Sequence, residues 1–175
     1  MTRLGYTIQD LNDMHLSDTV IRRAVASDVP AMGRLGAALM RQHYDFDRLR
    51  FMAPGPNSED GYGWFLGTQL ERDDAVLFVA DQQGSVVGYA YAGIEPQSFV
   101  ELREECGFVH DLVVDDNDQR HGVGTALMEA ALAWLRDRGM PRVVLWTAPR
   151  NERAQRLFDR LGFRRTMIEM TRELS

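Results

Sequence analysis

The sequence predicts an α/β domain in which a mixed sheet carries helices on both faces. Three patterns lead there. Two β-rich runs, 75–80 and 85–94, flank the polar turn Asp81-Gln82-Gln83-Gly84, the signature of an antiparallel hairpin. A strand at 107–114, a helix at about 122–138 and a strand at 142–147 then come in order, and such a unit closes as a right-handed parallel crossover. The helix between them has two apolar stripes, one of Val123, Leu127, Ala130 and Trp134 and one of Met128, Ala131 and Leu135, so it lies against a sheet.

The remaining elements are read in chain order. Residues 1–19 form a weakly patterned N-terminal extension, and the domain proper covers 20–175. A short strand spans 20–24. Ser27 caps a helix with Pro30 in its first turn and Val29, Met32, Leu35 and Leu39 at helical spacing. The text is irregular from 42 to 63, with Pro54-Gly55-Pro56-Asn57 as a loop, and a short helix spans 64–72. Residues 95–106 form a polar loop containing Glu101, Glu104 and Glu105. The Val113-Val114 run lacks clean alternation, as a mostly buried central strand would. Gly139 ends the long helix and Pro141 prevents its continuation. A last helix at 151–161 puts Ala154, Leu157, Phe158 and Leu161 on one face, Gly162 stops it, and 163–173 finishes as a strand. No repeat and no linker divides the chain.

Composition narrows the function. The chain has 175 residues, 45% of them hydrophobic and 26% charged, which suits one ordinary globular domain. No stretch approaches the roughly 20 apolar residues of a membrane span, and the first residues lack the apolar core of a secretory signal. The single cysteine, Cys106, cannot form an internal disulfide, which fits a reducing, cytoplasmic setting. A net charge of -6 argues against a nucleic-acid partner and suits a cationic substrate. All 20 basic residues are arginine. Without lysine there is no phosphate-binding P-loop and no Schiff-base chemistry.

The chemistry-bearing text is Phe108-Val109-His110-Asp111-Leu112-Val113-Val114, an acidic turn, and then Gln119-Arg120-His121-Gly122-Val123-Gly124-Thr125. A strand runs through a tight loop onto a helix, whose first turn offers unpaired N–H groups and partial positive charge. Glycines at 122 and 124 let a pyrophosphate approach the backbone, with Gln119 and Arg120 as further donors. The same glycines would also serve a plain strand-to-helix turn. The three-glycine spacing of a dinucleotide site is missing.

This segment resembles motif A of the GNAT superfamily of acetyl-CoA-dependent N-acetyltransferases, Arg/Gln-x-x-Gly-x-Gly/Ala, which Gln119, Gly122 and Gly124 match. Asn151-x-x-Ala154-x-x-Leu157-Phe158-x-x-x-Gly162-Phe163 resembles the family's second signature, and Val20-Ile21-Arg22-Arg23-Ala24 with Asp28 its usual opening. The resemblance covers about 20–173. It implies a mostly antiparallel sheet with one splayed parallel pair, and acetyl-CoA as cosubstrate with no metal. Backbone groups of Leu112, Val113 and Val114 would then pair with the pantetheine arm. Arg120, His121, Gly122, Val123, Gly124 and Thr125 would cradle the pyrophosphate, and Asn151 would reach the cofactor's arm or simply cap its helix. Arg150, Arg153 and Arg156 are either further phosphate ligands or solvated helix-surface charges.

In such enzymes an amine attacks the thioester directly, and a backbone N–H near Val113 or Val114 would bind the oxyanion. His110 is the candidate base, where some members carry a catalytic Glu, or else a structural histidine beside the sheet; many members use ordered water instead. With regular alternation Asp111 points to the opposite face, so one of the pair enters the site. Another position that can hold a base is Trp146 here and cannot serve. Phe158 departs from the family, which often has a tyrosine there to protonate the departing thiolate. Water, Tyr89 or Tyr91 would have to substitute. Asp45, Asp47, Glu101, Glu104 and Glu105 either attract a cationic amine or face solvent.

The acceptor expected is a small-molecule or peptide amine, with no nucleic-acid or membrane partner, and an exposed strand would support the homodimer common in the family. Two rival readings stand beside the transferase. One is a non-catalytic acetyl-CoA sensor or interaction domain, motivated by Phe158. The other is a nucleotide-binding α/β protein unrelated to CoA.

Overall fold

A computed structural model describes residues 19–118 and 122–174, so all but Thr19 of the extension at 1–19, three residues of the glycine loop, Gln119, Arg120 and His121, and Ser175 lie outside the described residues. Within them, five strands stand side by side in chain order: β1 (Thr19–Arg23), β2 (Ala75–Gln82), β3 (Ser85–Glu95), β4 (Cys106–Val114) and β5 (Val143–Leu145). Neighbours are antiparallel except for β4 and β5, which are parallel. The described helices are α1 (Val29–Phe46), α2 (Ser58–Gln69), α3 (Val123–Asp137) and α4 (Glu152–Arg160). The mixed sheet with a parallel pair is the predicted one. In the hairpin turn, Gln83 and Gly84 have φ of 51° and 86°, the left-handed pair that matches strand twist, and the Gly84 N–H donates to Asp81 Oδ1 at 2.7 Å.

Alternation along β2 and β3 sorts side chains into two cores. Val76, Ala80, Ala90, Ala92 and Val109 meet Leu127, Met128, Ala131, Leu135 and Phe158 of α3 and α4. On the other face, Leu77, Val79, Tyr89, Tyr91 and Val113 meet Met32 and Leu35 of α1 and Leu66 of α2. Removing any of the fully buried leucines to alanine would cost about 2–5 kcal/mol. α1 and α2 approach closely at Gly36, where a Cβ would overlap the Tyr62 ring. That approach lays Tyr62 against the sheet.

Four local expectations need correction. Ser27 is not the cap of α1. It sits in a short 3-10 turn, Ala26–Asp28, and the carboxylate of Asp28 accepts the Val25 N–H at 2.8 Å while binding the Arg22 guanidinium at 2.7 and 2.9 Å. The region 42–63 is not all irregular. α1 continues to Phe46 and α2 begins at Ser58, because packing against α1 at Gly63 and Gly67 outweighs the poor helix propensity of its glycines. β5 has three residues rather than six. The expected strand at 163–173 does not form: Gly162, at φ 85°, turns the chain, and residues 163–173 pair with no strand of the sheet.

Candidate active site

The site begins with a fault in β4. Tyr91 of β3 faces Asp111 while the next residue, Ala92, faces Val109, so His110 has no partner and forms a bulge. A bulge bends its strand and re-aims side chains. Beyond it β4 and β5 part. Their parallel pairing stops at Val109 and Leu145, whereas β4 runs on to Val114. From His110 to Val113, one edge of β4 therefore faces no strand of the sheet.

The bulge also corrects the expected alternation. His110 stacks on Tyr91 with ring centroids 4.5 Å apart, and Asp111 Oδ2 accepts the Tyr89 hydroxyl at 2.9 Å. Tyr89 and Tyr91, two apart on β3, share a face. Both His110 and Asp111 thus turn toward α1 and α2, rather than to opposite sides.

His110 lies between two rings, with Phe108 at 4.8 Å on its other side, and its Nε2 is 3.2 Å from Glu95 Oε1. Burial lowers the imidazole pKa below its usual 6.5, against the smaller opposing pull of Glu95 and Asp111. The ring is neutral at pH 7. Asp111 is held from above by the Tyr62 hydroxyl, also 2.9 Å from Oδ2. Burial raises its pKa, and the two donated hydrogen bonds oppose that rise. Tyr91 donates to Gln69 Oε1 at 3.0 Å, so both tyrosines considered as proton donors are committed to partners on the α2 side.

The phosphate side is built from local geometry. After β4 the Asp115 N–H donates to Val87 O at 2.8 Å, and a 3-10 turn, Asp116–Asp118, carries the chain off the sheet. Gly122 precedes α3 at φ 84°, a left-handed conformation that favours glycine, and offers no side chain to the first-turn N–H groups. Val123 is buried in the core, while Gly124 and Thr125 are half-buried. A Cβ at Gly124 would meet Leu157 Cδ2 at 3.6 Å and Val114 Cγ2 at 3.7 Å, ordinary contacts. Packing therefore does not require glycine at 124. A phosphate approaching the helix start would.

Asn151 caps α4, its side-chain oxygen accepting the Ala154 N–H at 3.1 Å. Phe158 is 9% exposed in the α3–α4 core, edge-on to Phe163 at 5.9 Å, with no proton to give. Leu112 and Val114 pack at the edge of that core and Val113 in the other. Glu101 pairs with Arg103 and Glu104 with Arg142, both at 2.8 Å, so these acids serve exposed ion pairs. Arg150, Arg153 and Arg156 are exposed, and Arg156 bonds Glu152 at 3.2 Å. Sequence reasoning missed Glu95, which it placed in a loop, and Tyr62. Neither spacing nor motif marks them, since the bulge and the α1–α2 contact bring them in.

Comparison with known proteins agrees with this outline. The model of the acetyltransferase (GNAT) family matches residues 38–163, and the chain belongs to that family. An uncharacterized N-acetyltransferase of Methanocaldococcus jannaschii is 32% identical over 100 residues, 57% of this chain and 44% of its own. The mycothiol acetyltransferase of Cellulomonas flavigena is 29% identical over 146 residues, 82% of this chain and 39% of its own. The chain thus spans less than half the length of these curated relatives. Among solved structures, a tetramutant of the BH1408 protein of Bacillus halodurans superposes with a TM-score of 0.75 at 19% identity, covering 89% of this chain and 99% of that one. Aminoglycoside N-acetyltransferase AAC(6')-Iy, solved in complex with CoA, gives 0.69 at 18% identity, covering 89% and 94%. These likenesses establish the fold. No helix among the described residues is long and apolar enough to cross a membrane.

Proposed function

We propose that this chain is an acetyl-CoA-dependent N-acetyltransferase that passes the acetyl group to a primary amine of a small molecule or peptide by direct attack in a ternary complex. The observation that carries the reading is the bulge at His110. It splays β4 from β5 at the point where β4 leads to an uncapped, glycine-flanked helix start, and it turns a neutral histidine toward the opposite face.

The residues fit acetyl-CoA. Gly122, Gly124 and Thr125 would hold the pyrophosphate with Gln119, Arg120 and His121, and the edge of β4 at Leu112 and Val113 would pair with the pantetheine arm. Asn151 and Phe158 would border it from α4. The cosubstrate brings an acyl group already activated as a thioester. The chain's own task is to place the amine and remove its proton. With Nε2–H donated to Glu95, the other ring nitrogen of His110, Nδ1, holds the lone pair that takes that proton. Asp111, anchored by Tyr62 and Tyr89, sits beside it as a negative charge that favours a cationic amine approaching the site.

The test has two parts. Calorimetric titration should show micromolar binding of acetyl-CoA, and thiol release should rise above background with at least one amine of a broad panel. No binding by folded protein refutes the reading. Binding with no thiol release for any amine favours the acetyl-CoA sensor, the reading that the proton-less Phe158 supports.

A further inference from the structure

We propose that Trp146 selects the acceptor, and that the amine this chain acetylates carries an aromatic ring on a short alkyl arm. The proposal rests on the transferase reading above, adds no step to it, and concerns only which amine enters.

Position is the first ground. The last parallel pair between β4 and β5 is Val109 with Leu145. His110 is therefore the first residue of β4 beyond the pairing, and Trp146 the first on the other side. The two stand on opposite lips of the opening. Phe108 pairs with Val144, so Trp146, two residues on from Val144, returns to the face that Phe108 occupies.

The second ground is a run of rings. Tyr91, His110 and Phe108 stack with centroids 4.5 and 4.8 Å apart, and Trp146 stands edge-on to Phe108 at 5.3 Å. At the other end Phe65 of α2 meets Tyr91 edge-on at 6.0 Å. Tyr91 and Phe108 are each 6% exposed, whereas Trp146 is 70% exposed. One exposed apolar side chain is ordinary, but an exposed indole two rings from the candidate base is placed to receive something. Aromatic rings attract a further ring at centroid separations of about 4.5–7 Å, offset or edge-on. From a ring so seated on Trp146, an ethyl arm carries its nitrogen about 5 Å from the ring centre, comparable with one step of this run.

Charge and the use of polar groups are the third. Glu95, half-exposed, has Oε1 3.2 Å from His110 Nε2, and Asp111 follows His110 in the chain, so the ring run ends beside carboxyls that suit an ammonium arriving from solvent. Arg72, the guanidinium whose charge acts on His110, is tied to Asp74 at 2.8 and 2.9 Å. The hydroxyl protons of Tyr62 and Tyr89 go to Asp111, and that of Tyr91 goes to Gln69. Glu101 and Glu104 are held by Arg103 and Arg142. Rings are thus what the described residues of this face offer the body of an acceptor, which disfavours a polyhydroxylated amine such as an amino sugar.

Steady-state thiol release tests this on the intact protein with acetyl-CoA and each of phenethylamine, cyclohexylethylamine (the same carbon count without the aromatic ring) and glucosamine. Wild type should favour phenethylamine in kcat/KM by about 3- to 10-fold over the cyclohexyl amine and by roughly 100-fold over glucosamine, chiefly through KM. Trp146→Leu removes an exposed ring and keeps an apolar side chain. It should raise KM for phenethylamine until the aryl and cyclohexyl amines are used equally, with kcat and acetyl-CoA affinity unchanged. Trp146→Phe should retain most of the preference. Equal use of the amines by wild type, a better rate with cyclohexylethylamine or glucosamine, or a preference that survives Trp146→Leu would each overturn the proposal and leave the transferase reading standing. No thiol release from any amine would overturn both.

Discussion

Gly124→Ala is the substitution that most sharply separates a phosphate cradle from a structural turn. A methyl group at 124 would rest in ordinary contact with Leu157 and Val114, so the empty fold accepts it. In a helix interior, replacing glycine by alanine gains about 0.5–1 kcal/mol, and at this first-turn position about half of that is expected. For a chain of this size the gain corresponds to a rise in Tm of roughly 1–2 °C. Binding should move the other way. If the first turn holds the pyrophosphate as proposed, the added methyl would crowd it, and one lost hydrogen bond to a charged group costs about 1.5–3 kcal/mol, or some 10- to 150-fold in Kd.

Gly122→Ala makes the control. At φ 84°, a side chain there is strained by about 1–2 kcal/mol, so this variant should lose stability as well as affinity. Scanning calorimetry of the free proteins and titration with acetyl-CoA read the two quantities independently. A Gly124→Ala protein that is more stable and binds acetyl-CoA as tightly as wild type refutes the cradle. A less stable one shows that the packing around α3 is tighter than the contacts at Leu157 and Val114 imply.

His110→Gln should lower kcat about 100-fold or more while leaving acetyl-CoA affinity unchanged, as a base rather than a binding group would. Because burial depresses the imidazole pKa, wild-type kcat/KM should be level at neutral pH and fall only below about 6.5 as the ring protonates. A limb that lies above neutrality, or persists in the variant, would assign the proton to another group. Glu129 offers a stability test on α3: burial raises its pKa, and its Oε2 has no partner. A carboxyl with a raised folded pKa binds protons better in the native state, so it costs stability as pH rises above its unfolded value of 4.5. Glu129→Gln should therefore raise Tm at pH 7 and lose that advantage below pH 4.5, and an equal gain at both pH values would contradict the assignment.

What could be read from the sequence was local. The hairpin at Gln83-Gly84, the stop at Gly139 and the cap at Asn151 each rest on residues within a turn of one another, and all three are found. The glycine pattern at 122 and 124 is legible for the same reason. The bulge was not, because inserting one residue into β4 leaves no mark in composition while it reverses the expected side of Asp111. α2 was half hidden, since Gly61, Gly63 and Gly67 lower its propensity, and the contact of Gly63 and Gly67 with Val29 of α1 is not marked in the sequence. The strand expected at 163–173 shows the converse. Its residues have strand composition, but a strand needs a partner, and none lies beside it in the chain.

The same division separates the two halves of the candidate site. The half proposed for the cofactor rests on backbone geometry at the end of β4 and the start of α3. The half proposed for the acceptor is made of side chains brought together over long separations. Tyr62 reaches Asp111 across 49 residues and Tyr89 across 22. Because both hydroxyls converge on one oxygen, Oδ2, Asp111 is a hinge pin between α2 and the sheet as much as a charge. A change in the α1–α2 contact at Gly36 would move Tyr62, and Tyr62 would move or unpair Asp111 next to His110. On the proposed reading, substitutions on α2 would alter acceptor choice without touching the cofactor half.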